Sequence, residues 1–439
     1  MKSRHRSQAR RLRRVAACST VTVLVLLGTP PASAAPSTVP SPVHTWTGDQ
    51  PGEGYGWAVS ELRDVDGDGA TDAIIGAPFH ATAAGSNAGH VDLRSGRSGA
   101  VLHSYVGLPG ELLGYAIADA GDVDGDGVHD VVIGAPQGGL FCTGTEAGPG
   151  HAYVRSGATG ALLLTLGGAP SRAHLGAAVG SAGDINRDGH ADVLVGAPCA
   201  GPTGAESGAA YVYSGTSGTV LRRFAGDAAG DHFGIGTAPV GDIDHDRITD
   251  QAVAATDAGV GRRGVVSVFS GRTGKRRLQL SGGPTTVDLG WFFVAGVGDV
   301  NRDGTPDIYA GDFDAGPNGN LRGGAFVFSG ATGKTLHVFP GAAPNAGAGP
   351  GRGAGDVNRD AVPDIVVGSY TSSDGAPLAG RVDVYSGRTG RPIRTYVSSI
   401  AGENLGFDAV GIGDVTGDGR PELLVSAASG DTVYVLPTG

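Results

Sequence analysis

The stretch Asp64-Val65-Asp66-Gly67-Asp68-Gly69-Ala70-Thr71-Asp72 decides how this chain is read, because it returns six more times. It recurs as Asp122 to Asp130, Asp184 to Asp192, Asp242 to Asp250, Asp299 to Asp307, Asp356 to Asp364 and Asp414 to Glu422, with first positions 58, 62, 58, 57, 57 and 58 residues apart. A fixed period of this length is the mark of a repeat architecture in which each copy is one supersecondary unit.

The neighbours of the acidic stretch repeat with it. A glycine-led segment precedes it, as in Gly54-Tyr55-Gly56-Trp57, Leu113-Gly114-Tyr115, Leu175-Gly176-Ala177 and Phe233-Gly234-Ile235. A short apolar run follows it, as in Ala73-Ile74-Ile75 and Val131-Val132-Ile133, whose length and β-branched content predict a buried strand. In the first three units that run ends in Gly-Ala-Pro at Pro78, Pro136 and Pro198, where proline removes a ladder donor and stops the strand. An alternating segment, a Ser-Gly-x-x-Gly turn and a second alternating segment then read as a hairpin, as in Ala210 to Phe224. Each unit therefore supplies four short antiparallel strands, with the acidic loop joining the first to the second. Seven four-stranded units arranged radially predict an all-β, seven-bladed propeller over residues 43–439.

The seventh unit stops after Thr432-Val433-Tyr434-Val435-Leu436, one strand short, while Val43-His44-Thr45-Trp46-Thr47 resembles a last strand without a unit. Residues 43–47 are expected to pair with 432–436 and close the ring, removing an open edge that would template aggregation.

The acidic loops offer oxygen side chains at positions 1, 3, 5 and 9: Asp64, Asp66, Asp68 and Asp72; Asp122, Asp124, Asp126 and Asp130; Asp184, Asn186, Asp188 and Asp192; Asp242, Asp244, Asp246 and Asp250; Asp299, Asn301, Asp303 and Asp307; Asp356, Asn358, Asp360 and Asp364; Asp414, Thr416, Asp418 and Glu422. Ca2+ takes six to eight oxygens, and such a loop can wrap one ion, up to seven structural ions in all. Turn-forming Asp and Gly account for one such loop, but not for four oxygen donors in the same phase seven times. Loop four carries Arg247 and loop six Ala361 where glycine is expected at position 6, and loop seven carries Thr416 and Glu422. These three are read as the weakest sites: a left-handed non-glycine residue costs about 1 kcal/mol in loops four and six, and Thr416 and Glu422 change charge and reach in loop seven.

Gly and Pro supply 80 and 25 of 439 residues, a density that excludes long helices. Residues 1–34 read as a secretory signal, with Lys2 and six arginines, the apolar run Val15 to Leu27, and Ala32-Ser33-Ala34 as the cleavage pattern. Residues 35–42 read as a linker. Export by the general route is preferred to the twin-arginine one, and nothing later is long and apolar enough to anchor the chain in a membrane. Removal of the signal leaves 25 basic residues against 43 acidic, a formal charge of −18, which excludes nucleic acid as a partner. Cys142 and Cys199 then remain, in equivalent loops of adjacent units, and are expected to form a disulfide in an oxidising compartment.

Taken together, the Leu/Phe-Gly start, the Asp-x-Asp-x-Asp-Gly-x-x-Asp loop and the Gly-Ala-Pro end resemble the FG-GAP repeat of integrin α-chain N-terminal propellers and their bacterial relatives. The resemblance implies a propeller with calcium in the loops between first and second strands, on the lower face. Integrin-like propellers usually carry calcium in only some blades, whereas all seven carry the motif here. The function it implies is a secreted or cell-surface recognition module, monomeric, for an extracellular protein or glycan. Variable loops on a rigid ring are where such sites lie: residues 79–88, 137–149, 312–322 and 369–379, with Phe79, His80, Phe141, Phe313 and Tyr370 as contact candidates. Trp291-Phe292-Phe293 is assigned to strand packing. The alternative is a secreted hydrolase, or an accessory module of a carbohydrate- or lipid-acting enzyme, using the central channel. No Gly-x-Ser-x-Gly or His-Glu-x-x-His supports it, and the scattered histidines read as surface residues.

Overall fold

A computed structural model describes residues 39–138, 142, 148–170, 172–316 and 322–439. The expected signal lies outside these residues, as does Phe141. The described residues form 28 strands in seven four-stranded sheets. In blade one the strands run Ala58–Leu62, Asp72–Ala77, His90–Arg94 and Val101–Val106, each antiparallel to the next. The acidic loop joins the first two, as read. The first strands stand side by side around the axis, and that of blade seven (Ala409–Gly413) returns beside that of blade one.

Why the sheets stack radially is visible in the side chains. The second strands are buried throughout, because both faces meet a neighbouring blade. Seven apolar clusters result, each shared by two adjacent blades: Val132 and Val154 of blade two, for example, pack with Val193, Val195 and Tyr211 of blade three. The core is thus divided among blade interfaces, and no single repeat could bury its own apolar faces.

The two glycine motifs serve the same interface. Within a blade, the N–H of Gly114 donates to the carbonyl of Gly134 at 3.0 Å, and Gly56 to Gly76 likewise. Between blades, a Cβ on Gly76 would lie 2.2 Å from the carbonyl oxygen of Gly114, and one on Gly134 2.0 Å from that of Gly176. The strand-ending glycine of one repeat is therefore small because the leading glycine of the next repeat lies against it.

The ring closes in the expected register, His44 opposite Val435, Thr45 opposite Tyr434, Trp46 opposite Val433 and Thr47 opposite Thr432. Trp46 is buried in the cluster between blades seven and one. A second closure was not read from the sequence. The Asp431 carboxylate accepts the backbone N–H groups of Gly52 (2.5 Å), Gly54 (2.8 Å) and Tyr55 (3.2 Å), binding the end of blade seven to the entry of blade one. Cys142 and Cys199 are joined, with Cα atoms 5.4 Å apart, and link the loops that leave the second strands of blades two and three.

Candidate functional site

All seven acidic loops lie at the end of the ring where first strands pass into second strands. In loop one the Asp64 carboxylate at position 1 accepts N–H groups from Gly67 (2.7 Å), Asp68 (3.2 Å) and Gly69 (2.8 Å), which turns the loop around it. Asp66 accepts from Asp68, and Asp68 from Ala70. The backbone is left-handed at both positions 4 and 6. Glycine fills both in loops one, two and seven, whereas His245 and Arg247 (φ 60° and 70°) do so in loop four, and Arg359 and Ala361 (63° and 60°) in loop six. The left-handed conformation expected at position 6 is present, and position 4 shares it.

Position 9 has a different role. Asp72 is fully buried and accepts from Val65 N (2.8 Å) within its loop and from Gly96 N (3.1 Å) in the hairpin turn between third and fourth strands. The same long-range bond joins Asp130 to Gly157, Asp192 to Gly215, Asp250 to Gly271, Asp307 to Gly330 and Asp364 to Gly387. Burial pushes these six carboxyls up to about 6 and raises Glu422 as well, a penalty that a divalent cation in contact would relieve.

The hairpin glycine must lie against the loop for this bond to form. A Cβ on Gly215 would stand 2.0 Å from the Ala191 carbonyl oxygen, at position 8 of loop three. Gly215→Ala is expected to destabilise the protein by about 3 kcal/mol or more, because backbone and not a flexible side chain must yield. A denaturant midpoint unchanged from the native chain would show that the contact is not needed.

The loops differ in how their carboxylates gather. Donor oxygens lie within 4.8 Å of one another in Asp64, Asp66 and Asp72; in Asp122, Asp124 and Asp130; in Asp242, Asp244 and Asp246; and in Asp414, Asp418 and Glu422. At that separation each pair of ionised carboxylates repels by roughly 3 kcal/mol at an effective dielectric constant of about 20. In loop four the Asp244 Oδ1 atom is buried without a hydrogen-bond partner, as an oxygen aimed at a cation would be. The donors are hard oxygens alone, so these loops fit Ca2+ or Mg2+ and not a soft metal. Loops three, five and six carry asparagine at position 3. Asn186 and Asn301 donate to Asp188 and Asp303 at 2.9 Å, while Asn358 donates to Asp364 at 3.2 Å.

The opposite end of the ring carries an aromatic collar. Neighbouring rings follow one another from Trp57 to Tyr115 (5.6 Å between centroids), Phe292 (5.8 Å), Trp291 (5.8 Å), Phe313 (5.2 Å), Tyr370 (6.3 Å), Phe407 (5.5 Å) and back to Trp57 (5.1 Å). Tyr115 and Trp291 are buried, and the other five are half-buried. Phe313 and Tyr370 were singled out by sequence, and Phe79 packs edge-on against Trp57 at 5.1 Å. Trp57, Tyr115 and Phe407 were missed as contact residues, although each directly follows a motif glycine. Trp291-Phe292-Phe293 divides differently from the expectation. The strand begins only at Val294, Phe293 packs between blades five and six, and Trp291 and Phe292 belong to the collar. The histidines also depart from the surface reading, since His90 and His174 are 5% and 4% exposed.

Among the described residues, no helix is long and apolar enough to cross a membrane. The FG-GAP repeat family model matches residues 114–154 and 175–213. Among curated proteins, integrin alpha-V of Gallus gallus is 29% identical over 215 residues, covering 46% of this chain and 20% of that protein. Integrin alpha-3 of Cricetulus griseus is 35% identical over 170 residues (37% and 15%), and integrin alpha-IIb of Homo sapiens 32% over 218 residues (46% and 20%). The chain matches about a fifth or less of the length of these relatives. It is a seven-bladed β-propeller that carries FG-GAP repeats and is similar in sequence to integrin α chains.

Proposed function

We propose that this chain is a secreted, calcium-binding recognition module that holds an extracellular protein or glycan against the collar end of its ring. The observation that carries this reading is the closed circuit of seven aromatic rings contributed by blades one, two, five, six and seven, at the end opposite the acidic loops. Half-buried aromatic side chains offer large apolar contact area at low entropic cost, which suits both sugar faces and protein anchors. Phe79, Phe313 and Tyr370, from loops that follow second strands, pack in or against this collar, and those loops differ in sequence from blade to blade. Calcium is assigned a structural role, since its ligands lie at the far end of each blade and hold the loop to the hairpin.

The test is a screen of the mature protein, in millimolar calcium, against glycans and matrix proteins, followed by Trp57→Ala with Phe407→Ala. A ligand that loses at least tenfold affinity in the double variant, with the thermal midpoint kept, supports the collar as the site. Binding untouched by the double variant would move the site elsewhere on the ring.

A further inference from the structure

Blade one departs from blades three to six at one position on the collar side. After the second strand, the residue whose N–H closes the turn and whose carbonyl receives the start of the third strand is Ala200 in blade three, Ala258 in blade four, Ala315 in blade five and Ser372 in blade six. In blade one the same two backbone contacts belong to His80. Its Nδ1 lies 2.5 Å from Glu53 Oε2, and its ring centroid lies 5.1 Å from that of His90. One donor atom each from Glu53, His80 and His90 falls within 4.8 Å of the others.

His90 is the informative member. Its Nε2 faces Ser104 Oγ at 2.8 Å and Asp92 Oδ1 at 3.1 Å, and Asp92 is itself held by the Tyr55 hydroxyl (3.0 Å) and Arg94 (2.9 Å). A proton on Nε2 donated to that carboxylate leaves a lone pair on Nδ1. That Nδ1 is buried and has no hydrogen-bond partner, in a residue only 5% exposed. A carboxylate on the outer nitrogen and an unpartnered inner nitrogen are the arrangement of a metal-ligating histidine with its supporting shell. Glu53, 1% exposed, supplies the charge.

We propose that Glu53, His80 and His90 form a site for a divalent transition ion of the zinc or cobalt class, separate from the acidic loops. Two imidazole nitrogens and one carboxylate select such ions over calcium and leave a fourth position for water. Loading puts the ion in place of the proton that His80 Nδ1 holds against Glu53, and the neutral ring keeps its one proton by changing tautomer. His80 then carries its proton on Nε2, 3.3 Å from the Gln50 amide nitrogen, and to accept it the Gln50 carboxamide must turn over and give up its two bonds to the Ala81 backbone. The His80 side chain is 12% exposed, which gives the ion a way in.

The experiment is a Co2+ titration of the mature protein in excess calcium, followed by visible absorption and calorimetry, with Zn2+ as competitor. One equivalent of cobalt with ligand-field bands, displaced by zinc and not by calcium, is expected. His80→Ala installs the residue found in blades three to five, so it should still fold in calcium, with a lower midpoint because Glu53 loses its bond to His80, and it should bind cobalt at least tenfold more weakly. His90→Gln should lose the bands as well. No cobalt uptake in excess calcium, or uptake unchanged in His80→Ala, would overturn the site and leave His80 as a hydrogen-bond partner of Glu53 alone.

Discussion

Stripping divalent cations from a chain beginning at residue 39 should lower its thermal midpoint by ten degrees or more, and calcium should restore it with several ions bound. Twenty-four of the 43 acidic residues lie in seven nine-residue windows, and in four of these windows the carboxylates gather within 4.8 Å. Backbone N–H groups orient these carboxylates, and Arg97 beside Asp68 and Arg272 beside Asp246 offset only part of their mutual repulsion. At tenfold excess over its dissociation constant each ion adds about 1.4 kcal/mol. Several such terms together are comparable to the whole stability of an ordinary domain. Calorimetry with chelated protein checks the count, and a midpoint indifferent to calcium would reduce the loops to turns.

The same titration distinguishes the loops. Loop four was expected to be weak because of Arg247, which is indeed left-handed, yet three of its four carboxylates converge and, although Arg272 pairs with Asp246 and Arg277 stands near Asp244 Oδ2, Asp244 Oδ1 has no hydrogen-bond partner. The strain cost of about 1 kcal/mol is smaller than the electrostatic relief an ion would bring there. Local sequence shows the strain at one residue, but not the distance between oxygens that decides affinity.

What the sequence makes legible here is whatever repeats with the period of the blades. Strand order, acidic loops and the orphan strand at residues 43–47 all follow from phase, because each obeys the same local geometry seven times. Contacts between different repeats are another matter. Gly76 and Gly114 lie 38 positions apart and each reads as a turn or strand-end glycine, while their real constraint is mutual. Trp291 and Phe292 sit beside an apolar run, so periodicity assigned them to the strand, although the strand spans only Val294–Gly296. Glu53, His80 and His90 share no recognisable ligand spacing, and only blade geometry brings them together.

Deleting the segment up to Thr47 should cost more than any single substitution outside the core, and should make the ring associate through its exposed edge. Three effects add. Trp46 leaves the cluster it shares with Tyr55, Val433 and Val435, a loss worth about 3 to 5 kcal/mol when a buried tryptophan is truncated. The ladder from His44 to Thr47 disappears, and the strand Thr432–Leu436 becomes an exposed edge with unpaired backbone groups. Asp431 still holds Gly52, Gly54 and Tyr55, so blades seven and one stay tethered and the open edge persists in a folded molecule. That persistence is why association, and not simple unfolding, is the expected outcome. Size-exclusion profiles and thermal melts of chains beginning at residues 39 and 48 make the comparison, with Asp431→Ala added to each. The shorter chain should melt at least ten degrees lower and elute as larger species, and Asp431→Ala should harm it more than it harms the longer one. Equal midpoints and monomeric elution for both would mean that the ring is held by its blade interfaces alone.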